Sequence, residues 1–543
     1  MGFWLHVPDM LSNLTSRLWH SEPKGDQLEA EALSHERIFG KCIEATTHSL
    51  ENSKFLPLYW QTSFLHAKTI QKTLANCKGL RGKDVTKFTS YVTSKARTVF
   101  LLLVFIDKVN YISDFHDAHF EDGDLPIVFD GRWEGWSLKN QSRRHSWQFL
   151  SKWTSGEKDV FASNQWVFLA PIFSRATFFY ELEPQQPLPF RSSADVSRAT
   201  GYFSTIYRVA IPSSHLYEQN TDGYHEVALK CLVLPNGPEK NECFLREKQI
   251  LEKMRELQHP HLIQAHSAYH RGKDMGFVFP YAKDGSLAHF WIQHDPVLSL
   301  SLVSWALIQM KGLAHGIEQL HGTKTRHGDI RPQNILIFEN TGGNRKDLVV
   351  ADMAIAKYRA LYAHEPAGPR KNPFGSRRYE PPEAEDQSLR EVKVQQLPHF
   401  LKYDLWSLGC VFLEFLIWLD SGAQGLMTFL TTSRVNRGEP RFWEREAVRP
   451  EIIKCMDKLE ERFGQMDQQY AALKEVLNLI WDRLLIMVDE RADSTALFND
   501  IKSIESRFSL TSGDHFDSPP RFLPRGCDGA TDTVSSAAVG HYG

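Results

Sequence analysis

The sequence predicts an α+β protein in which a small β-rich lobe comes before a larger helical lobe. Short strand-like runs lie at 205–210, 226–232 and 275–280, and long runs with helical periodicity follow at 300–321, 404–419, 451–463 and 468–487. A mainly helical N-terminal region precedes both lobes. A small lobe ahead of a larger one suits an enzyme that binds its substrate in a cleft.

Composition divides the chain into four segments. Residues 1–30 form an N-terminal segment in which 10–19 would make a short amphipathic helix, either a tethered terminal helix or a membrane contact. Residues 31–190 form the mainly helical region, which becomes tryptophan-rich and ends in a proline-rich stretch, 183–189, that we interpret as a linker. Residues 191–509 hold the two lobes. Residues 510–543 contain few large apolar side chains, so we expect them to be disordered.

The bulk properties of the 543 residues exclude several classes of protein. The net charge of −3 gives no reason to expect binding to nucleic acid or to an anionic membrane. The longest apolar run, 99–106, is shorter than the ~20 residues of a bilayer span, so we expect no transmembrane segment. No secretory signal is visible, and the 7 scattered cysteines lack C-x-x-C spacing. We therefore expect an intracellular protein, cytoplasmic or nuclear.

The run HGDIRPQN at 327–334 carries the main chemical signal. It places an acid, Asp329, five residues before an amide, Asn334, and a second acid, Asp352, follows one predicted hairpin later. Phosphoryl transfer needs such a set, because one carboxylate accepts a hydroxyl proton while an amide and another carboxylate hold Mg²⁺ against the nucleotide phosphates. Hard cations prefer oxygen ligands of this kind.

These motifs resemble those of the eukaryotic protein kinases, H-R-D-x-x-x-x-N and D-F-G, over roughly residues 195–508. The resemblance implies a two-lobed protein-kinase fold and an ATP- and Mg²⁺-dependent transfer of phosphate to serine or threonine of a protein substrate. It assigns Asp329 as the catalytic base and Asn334 and Asp352 as the Mg²⁺ ligands. Arg331 stands where the family has a lysine near the γ-phosphate, so a rigid fork replaces a flexible point charge.

The nucleotide side of the resemblance begins with ATGYFSTI at 199–206, which is similar to the glycine-rich loop although Gly201 is the only glycine kept. Gly201 and Phe203 would cover the phosphates. The strand motif VALK ends at Lys230, which would contact the α- and β-phosphates, and the helix that follows offers Glu247 as its partner. Taken alone, Lys230 and Glu247 would be two exposed surface charges.

The adenine side rests on the run MGFVFPYA at 275–282. By resemblance Phe279 is the gatekeeper, and the carbonyl of Pro280 and the amide of Ala282 would read the adenine edge. Three apolar side chains would enclose the purine ring, namely those of Ile206, Ala228 and Leu336. Plain core packing explains each of the three equally well in isolation.

The remaining kinase-like positions form a platform for a protein substrate. Ser376 stands where serine/threonine kinases carry threonine, Glu383 is predicted to pair with Arg491, and Asp404 is predicted to cap the catalytic-loop backbone. Basic residues in the same segment suggest acidic or phosphorylated substrates, or else a solvated charged face; they are Lys357, Arg359, Arg370, Lys371, Arg377 and Arg378.

Three departures from the family pattern bear on activity. Gly328 replaces the arginine that pairs with a phosphate on the activation segment, and between Asp352 and Gly375 there is no serine or threonine. We therefore expect activity without control by activation-loop phosphorylation. Ala354 replaces the glycine of D-F-G, which removes backbone freedom.

Two classes of function remain after these departures. One is an active serine/threonine kinase, and the other is a pseudokinase that binds nucleotide or acts as a scaffold. A small-molecule phosphotransferase is a third class, which the protein-substrate platform disfavours. The N-terminal region loosely resembles the corresponding part of uncharacterised fungal kinase-like proteins, and we assign it a regulatory or recruitment role.

Overall fold

The structure of the protein, a computed structural model, describes residues 35–80, 84–129, 135–137, 147–192, 198–200, 204–217, 222–339, 346–352, 377–385, 397–432, 441–444, 447–512 and 519–525. Its helices are α1 His35–Ala45, α2 Leu58–Ser63, α3 Ala67–Asn76, α4 Val85–Lys95, α5 Arg97–Phe105, α6 Ile112–Asp117, α7 Ser155–Asn164, α8 Pro238–Leu257, α9 Leu287–Gln293, α10 Leu300–Gly322, α11 Leu397–Thr432, α12 Pro450–Gln465, α13 Ala471–Leu479 and α14 Ser494–Ser512.

The first strands are β1 Thr47–His48, β2 Lys54–Phe55, β3 Ile127–Phe129 and β4 Gly135–Ser137. The strands of the larger sheet follow and are β5 Phe179–Leu182, β6 Arg191–Ser192, β7 Arg198–Thr200, β8 Ser204–Pro212, β9 Tyr224–Leu232, β10 Ser267–Arg271 and β11 Asp274–Pro280. The later strands are β12 His294–Pro296, β13 Ile335–Glu339, β14 Lys346–Val350, β15 Trp443–Glu444, β16 Ala447–Val448 and β17 Phe522–Pro524. The order in the seven-stranded sheet is β5-β10-β11-β9-β8-β6, and β7 pairs with β8. The predicted α+β arrangement, with strands first and long helices later, is confirmed.

The chain forms two compact units. Of the described residues, the first unit comprises those within 1–198, 207–229 and 269–275, and the second comprises those within 199–206, 230–268 and 276–543. The N-terminal region and parts of the sheet strands therefore belong to one body, which the boundary predicted at 190 does not anticipate.

The first unit is built around the apolar helix α5. Residues 99–104 of this helix are fully buried, and aromatic side chains from the surrounding helices and turns, such as Phe115, Phe161 and Trp153, complete the core. An eight-residue apolar run, too short for a bilayer, is long enough for a helix that is covered on all sides.

His215, in the turn after β8, joins the helical region to the sheet within the first unit. Its Nδ1 donates to the carbonyl of Pro171 at 2.9 Å, and its Nε2 accepts from the amide of Leu58 at 3.0 Å. Burial lowers the pKa of His215 to about 4, so the ring is neutral and has one donor and one acceptor nitrogen, as this pair of bonds requires.

The proline-rich stretch 183–189 is not the linker that we predicted. Leu188 and Phe190 are buried, and the Gln186 side chain donates to the carbonyl of Leu169. Proline keeps the backbone extended, but the apolar residues between the prolines carry enough surface to hold the stretch against the first unit.

The second unit is organised by α10, α11 and α14. Among the described residues α11 is the one helix long and apolar enough to cross a bilayer, yet 83% of its apolar window is buried inside the protein, as in the core helix of a helical lobe. The run predicted as one helix over 468–487 is interrupted, since α13 ends at Leu479 and a π-helical turn, Ile480–Leu484, follows.

Two glycines on α10 leave room for a histidine turn that follows α8. A Cβ atom at Gly312 would lie 2.0 Å from Nε2 of His261, and one at Gly316 would lie 3.2 Å from Nδ1 of His259. His261 also bonds the carbonyl of Leu348 at 2.6 Å. The absence of side chains at the two glycines therefore allows α10 to approach the turn closely.

The predicted disorder of 510–543 does not hold for the described part of that segment. Helix α14 continues to Ser512, and β17 pairs with β12. The composition argument missed the single apolar pair Phe522–Leu523, which is sufficient for a local contact. Residues 1–34, with the candidate amphipathic helix, lie outside the described residues.

Removing one charge tests how the N-terminal region is attached to strand β10 within the first unit. Arg271 is buried and binds both carboxylate oxygens of Glu51, at 2.7 and 2.6 Å, as well as Asp274. We expect Glu51→Gln to lower the free energy of unfolding by about 1–2 kcal/mol, a discounted value because Glu51 is 35% exposed. Thermal unfolding followed by tryptophan fluorescence measures the change.

The matched control is Glu181→Gln on the neighbouring pair. Glu181 contacts His270, one residue from Arg271, but is mostly exposed, so this substitution should leave the unfolding temperature unchanged. Equal shifts for the two variants would show that the Glu51–Arg271 pair has no special role.

Candidate active site

A buried lysine lies between two carboxylates at the centre of the site. Nζ of Lys230, near the end of β9, is 2.7 Å from Oε1 of Glu247 on α8 and 2.6 Å from Oδ1 of Asp352. Burial alone would lower the pKa of Lys230, but the charges of Asp352 and Glu247 outweigh burial and raise the pKa above its ordinary value. The lysine is therefore a fixed positive charge.

Asp352 adopts a left-handed backbone conformation, with a φ of 64°. It lies two residues after the end of β14, and the amide of the intervening Ala351 donates to the carbonyl of Asn334 at 2.8 Å. Asn334 and Asp352 therefore lie at the same end of the β13–β14 hairpin. The predicted hairpin is present, and it brings Asn334 and Asp352 to one place although 17 residues lie between them.

Asp329 and Asn334 form a direct contact in the catalytic loop. The side-chain amide of Asn334 donates to the carbonyl and to Oδ2 of Asp329, at 2.9 and 2.8 Å. Because Nδ2 of Asn334 is directed at Asp329, the side-chain oxygen Oδ1 of Asn334 is the atom that would face a cation. Nε of Arg331 lies 3.5 Å from Oδ2 of Asp329, close enough for charge attraction but long for a hydrogen bond.

The donor set fits a hard divalent cation. A carboxylate from Asp352 and an amide oxygen from Asn334 are the oxygen ligands that Mg²⁺ takes, and Mg²⁺ binds with few protein ligands. No group of three or more histidine, cysteine or acidic side chains placed to hold a metal occurs in the described part of the chain.

His327 ties the catalytic loop to the strand before Asp352. It is fully buried, its Nδ1 accepts from the amide of Asp329 at 3.2 Å, and its Nε2 donates to the carbonyl of Ala351 at 3.1 Å. Burial lowers the pKa of His327, which favours the neutral ring that this donor and acceptor pattern needs. The backbone of Asp329 and that of Ala351 are thereby held by one side chain.

Asp404 on α11 caps the catalytic loop as the resemblance implied. Its two oxygens accept from the amides of His327 and Gly328, both at 2.7 Å, and Nε2 of His321 lies 2.9 Å from Oδ2. Burial alone would raise the pKa of Asp404, but the hydrogen bond from His321 and nearby positive charge hold it below its ordinary value. Gly328 has a φ of 80°, a conformation that favours glycine.

The residues proposed for adenine lie on four strands and the segment after β11. Phe279 and Pro280 end β11 and are half-buried, and Ala282 is buried just beyond them. Leu336 on β13 pairs with Ser286, which brings it next to the segment that follows Ala282. Ile206 on β8 is exposed, and Ala228 on β9 is half-buried in the first unit.

Three of the residues proposed from sequence, Gly201, Phe203 and Ser376, lie outside the described residues. Most of the segment between Asp352 and Arg378, which includes Met353 and Ala354, lies outside them as well.

The predicted ion pair between Glu383 and Arg491 is present. The Arg491 side chain is fully buried, with Nη2 3.1 Å from Oε2 of Glu383 and also donating to the carbonyl of Ile486 at 2.9 Å. The guanidinium lies 5.1 Å from the ring of Trp406. A buried cation with this many acceptors fixes the segment around Glu383 to the helical lobe.

Arg378 neither faces a substrate nor belongs to a solvated charged face, the two interpretations of the basic segment, because its side chain is buried. Its Nε donates to Oε1 of Glu414 at 2.9 Å, and the hydroxyl of Tyr379 donates to Oε2 at 2.9 Å. The hydroxyl of Ser407 donates to the carbonyl of Tyr379. Sequence reasoning missed Glu414 and His321, because neither lies at a fixed spacing from the residue it contacts.

Comparison with known proteins gives the class to which this geometry belongs. The protein kinase domain model matches residues 214–420. The chain is 26% identical to cyclin-dependent kinase 15 of Danio rerio over 243 residues, which cover 43% of this chain and 50% of the relative. It is 26% identical to serine/threonine-protein kinase PKH3 of Eremothecium gossypii over 225 residues, 40% of this chain and 27% of the relative.

A third relative is death-associated protein kinase 2 of Mus musculus, with 22% identity over 209 residues, 36% of this chain and 51% of the relative. The chain covers 50% and 65% of the lengths of the cyclin-dependent kinase 15 sequences of Danio rerio and Mus musculus. The chain thus carries a domain of the eukaryotic protein kinase superfamily with the two-lobed α+β kinase fold. One of these relatives, PKH3, is named as a serine/threonine-protein kinase.

Replacing the buried carboxylate tests the anchor of the catalytic loop. In Asp404→Asn one backbone amide would face a side-chain NH₂ group instead of an oxygen, and a charged acceptor would be lost. We expect the free energy of unfolding to fall by about 2–4 kcal/mol. Urea unfolding followed by intrinsic fluorescence measures it.

The exposed carboxylate of Asp467 supplies the comparison. Asp467→Asn should unfold at the wild-type urea concentration, and identical midpoints for the two variants would contradict the role of Asp404.

Proposed function

We propose that the protein transfers the γ-phosphate of ATP to serine or threonine of protein substrates, with Mg²⁺. The observation that carries the proposal is the position of Lys230 between Glu247 and Asp352, because a charged, oriented lysine beside a carboxylate is what nucleotide phosphates require. A surface salt bridge would not need a lysine that is almost fully buried.

Each side chain then has one task. Lys230 binds the α- and β-phosphates, and Glu247 keeps it oriented. Asp329 accepts the proton of the substrate hydroxyl and is itself oriented by Asn334. The guanidinium of Arg331 lies beside Asp329, where it would attract the γ-phosphate. Asn334 and Asp352 would hold Mg²⁺, which supplies charge neutralisation on the phosphates.

Loss of the proposed base gives the direct test. We expect Asp329→Asn to lower γ-phosphate incorporation into a generic protein acceptor at least about 100-fold, the scale of a lost general base. The asparagine keeps an oxygen for the Asn334 contact, so the fold should be retained. Incorporation of ³²P from labelled ATP is the measurement.

Asp467→Asn is again the control and should retain wild-type incorporation. Equal incorporation by Asp329→Asn and wild type would exclude Asp329 as the base.

A second candidate function is that of a pseudokinase. The loop at 199–206 keeps one glycine, and Ala354 replaces glycine, so the phosphate cradle would be stiffer. ATP that raises the unfolding temperature, with no incorporation into any acceptor, would select this alternative.

We also propose that activity does not depend on phosphorylation of the activation segment. Gly328 supplies no guanidinium to read a phosphate, and the segment before Gly375 offers only Tyr358 and Tyr362 as acceptors. The φ of 80° at Gly328 suits the backbone conformation in which the amides of His327 and Gly328 both donate to Asp404.

Phosphatase treatment tests this independence. We expect incorporation by the treated protein, and by a Tyr358→Phe, Tyr362→Phe double variant, to equal that of the untreated wild type, because neither tyrosine has a charged reader at 328. A strong fall in activity after either change would contradict the proposal. Dephosphorylation is checked by mass spectrometry.

The setting of the activity remains a proposal. The scattered cysteines support an intracellular location, cytoplasmic or nuclear, which imaging of a fluorescent fusion would test. The partners we propose are a protein substrate and a protein recruited by the N-terminal region, with no nucleic acid.

A further inference from the structure

A short strand from the C-terminal segment lies on the helical lobe, outside the proposed active site. Strand β17 is antiparallel to β12, with Phe522 opposite Pro296, Leu523 opposite Asp295 and Pro524 opposite His294. Two backbone bonds close the ends of the pair, from Val297 to the carbonyl of Arg521 at 3.3 Å and from Arg525 to the carbonyl of Gln293 at 2.9 Å. Proline in both strands limits further backbone bonding, so side chains must supply most of the attraction.

Phe522 is the side chain inserted into the lobe. Its ring centroid lies 5.0 Å from that of Phe290, 5.4 Å from that of Trp305 and 6.1 Å from that of Trp418. The contacts to Phe290 and Trp305 are edge-to-face, with interplanar angles of 82° and 72°. This is the geometry that aromatic pairs prefer.

The walls of this aromatic groove are held by bonds that do not involve the C-terminal segment. Nε1 of Trp418 donates to the carbonyls of Trp291 and His294, at 3.1 and 2.9 Å. Nε1 of Trp305 donates to the carbonyl of Lys346 at 2.7 Å. The groove is therefore preorganised, which lowers the entropic cost of binding a ligand.

A fixed acid lies beside the groove. Oδ1 of Asp295 accepts from the amide of Ala423 at 2.8 Å, where Gly422 interrupts α11 with a φ of 63°. Oδ2 of Asp295 is 3.5 Å from Nε of Arg525. Both side chains are partly exposed, so this pair selects a basic residue at that position more than it strengthens binding.

The contact has the features of peptide recognition rather than of a core strand. One aromatic side chain is inserted, Leu523 is 59% exposed, and the chain on either side is rich in serine, glycine, proline and aspartate. Addition of an extended peptide to a strand, with a pocket for one side chain, is a common mode of recognition.

We propose that the surface formed by Phe290, Trp305, Trp418, Asp295 and strand β12 is a peptide-docking groove. Its ligand is an extended segment with an aromatic residue, a proline two positions later and an arginine after that proline. The chain's own residues 519–525, PPRFLPR, occupy it as an intramolecular ligand. The proposal does not depend on catalysis.

The test uses the full-length chain and a fluorescein-labelled synthetic peptide of residues 518–526. In Phe522→Ala the intramolecular ligand loses its anchor, so we expect saturable binding of the peptide by fluorescence anisotropy. Wild type should bind it at least about tenfold more weakly, because a tethered ligand competes at millimolar effective concentration. A peptide with alanine in place of its phenylalanine should bind neither protein.

Leu523→Ala is the matched control, since its side chain is the exposed neighbour of Phe522 on the same strand. This variant should keep the groove occupied and behave as wild type. A folded Phe522→Ala chain, judged by circular dichroism, that does not bind the peptide would overturn the proposal, and so would equal binding by all three proteins.

A second experiment covers the case in which Phe522→Ala does not fold. A protease site is placed at 513–518 of the full chain, which is folded first and then cut. The released fragment should remain bound and should be displaced by excess synthetic peptide. Loss of the fragment at once, or a fragment that no peptide displaces, would contradict a docking groove.

Discussion

The buried ammonium group of Lys230 is the constraint on which the functional part of the second unit depends. A charge that is removed from water is costly unless opposite charges lie close to it, and here two carboxylates lie within 2.7 Å. Those carboxylates come from α8 and from Asp352, two residues after β14. The three elements must therefore be held together for the lysine to remain charged.

Helix α11 holds several other segments of the second unit in place. Its sequence is apolar enough to resemble a membrane span, yet its polar side chains fix three other segments of the chain, with Ser407 and Glu414 both binding the segment around Tyr379. Asp404 binds the catalytic loop, Ser407 binds the carbonyl of Tyr379, Glu414 binds Arg378, and the indole of Trp418 binds the carbonyls near β12. Such buried polar groups, fully satisfied, position loops more exactly than apolar packing does.

The sequence was informative where chemistry demands a fixed spacing. The acid and amide of the catalytic loop and the β13–β14 hairpin follow local rules, so they could be predicted from the chain alone, whereas the lysine–glutamate pair could be predicted only from the resemblance to protein kinases. The partners His321 and Glu414 could not, because only the packing of α10 and α11 brings them to Asp404 and Arg378. The proline-rich stretch was misassigned since proline indicates an extended backbone but not whether Leu188 and Phe190 are covered. Strand β17 was missed for a related reason. One phenylalanine hardly changes the composition of a segment, but its ring is enough to fill a groove of matching shape.

The close approach of α10 to the histidine turn has a consequence for natural variation. Gly312 lies in the middle of a long helix, where helix propensity alone would favour alanine. The imidazole of His261 occupies the space of a methyl group there, and the same ring bonds the carbonyl of Leu348. A saturation screen for folded protein should accept alanine at the helix's exposed positions and reject it at 312, and an allele that enlarges this position should survive only alongside a smaller residue at 261.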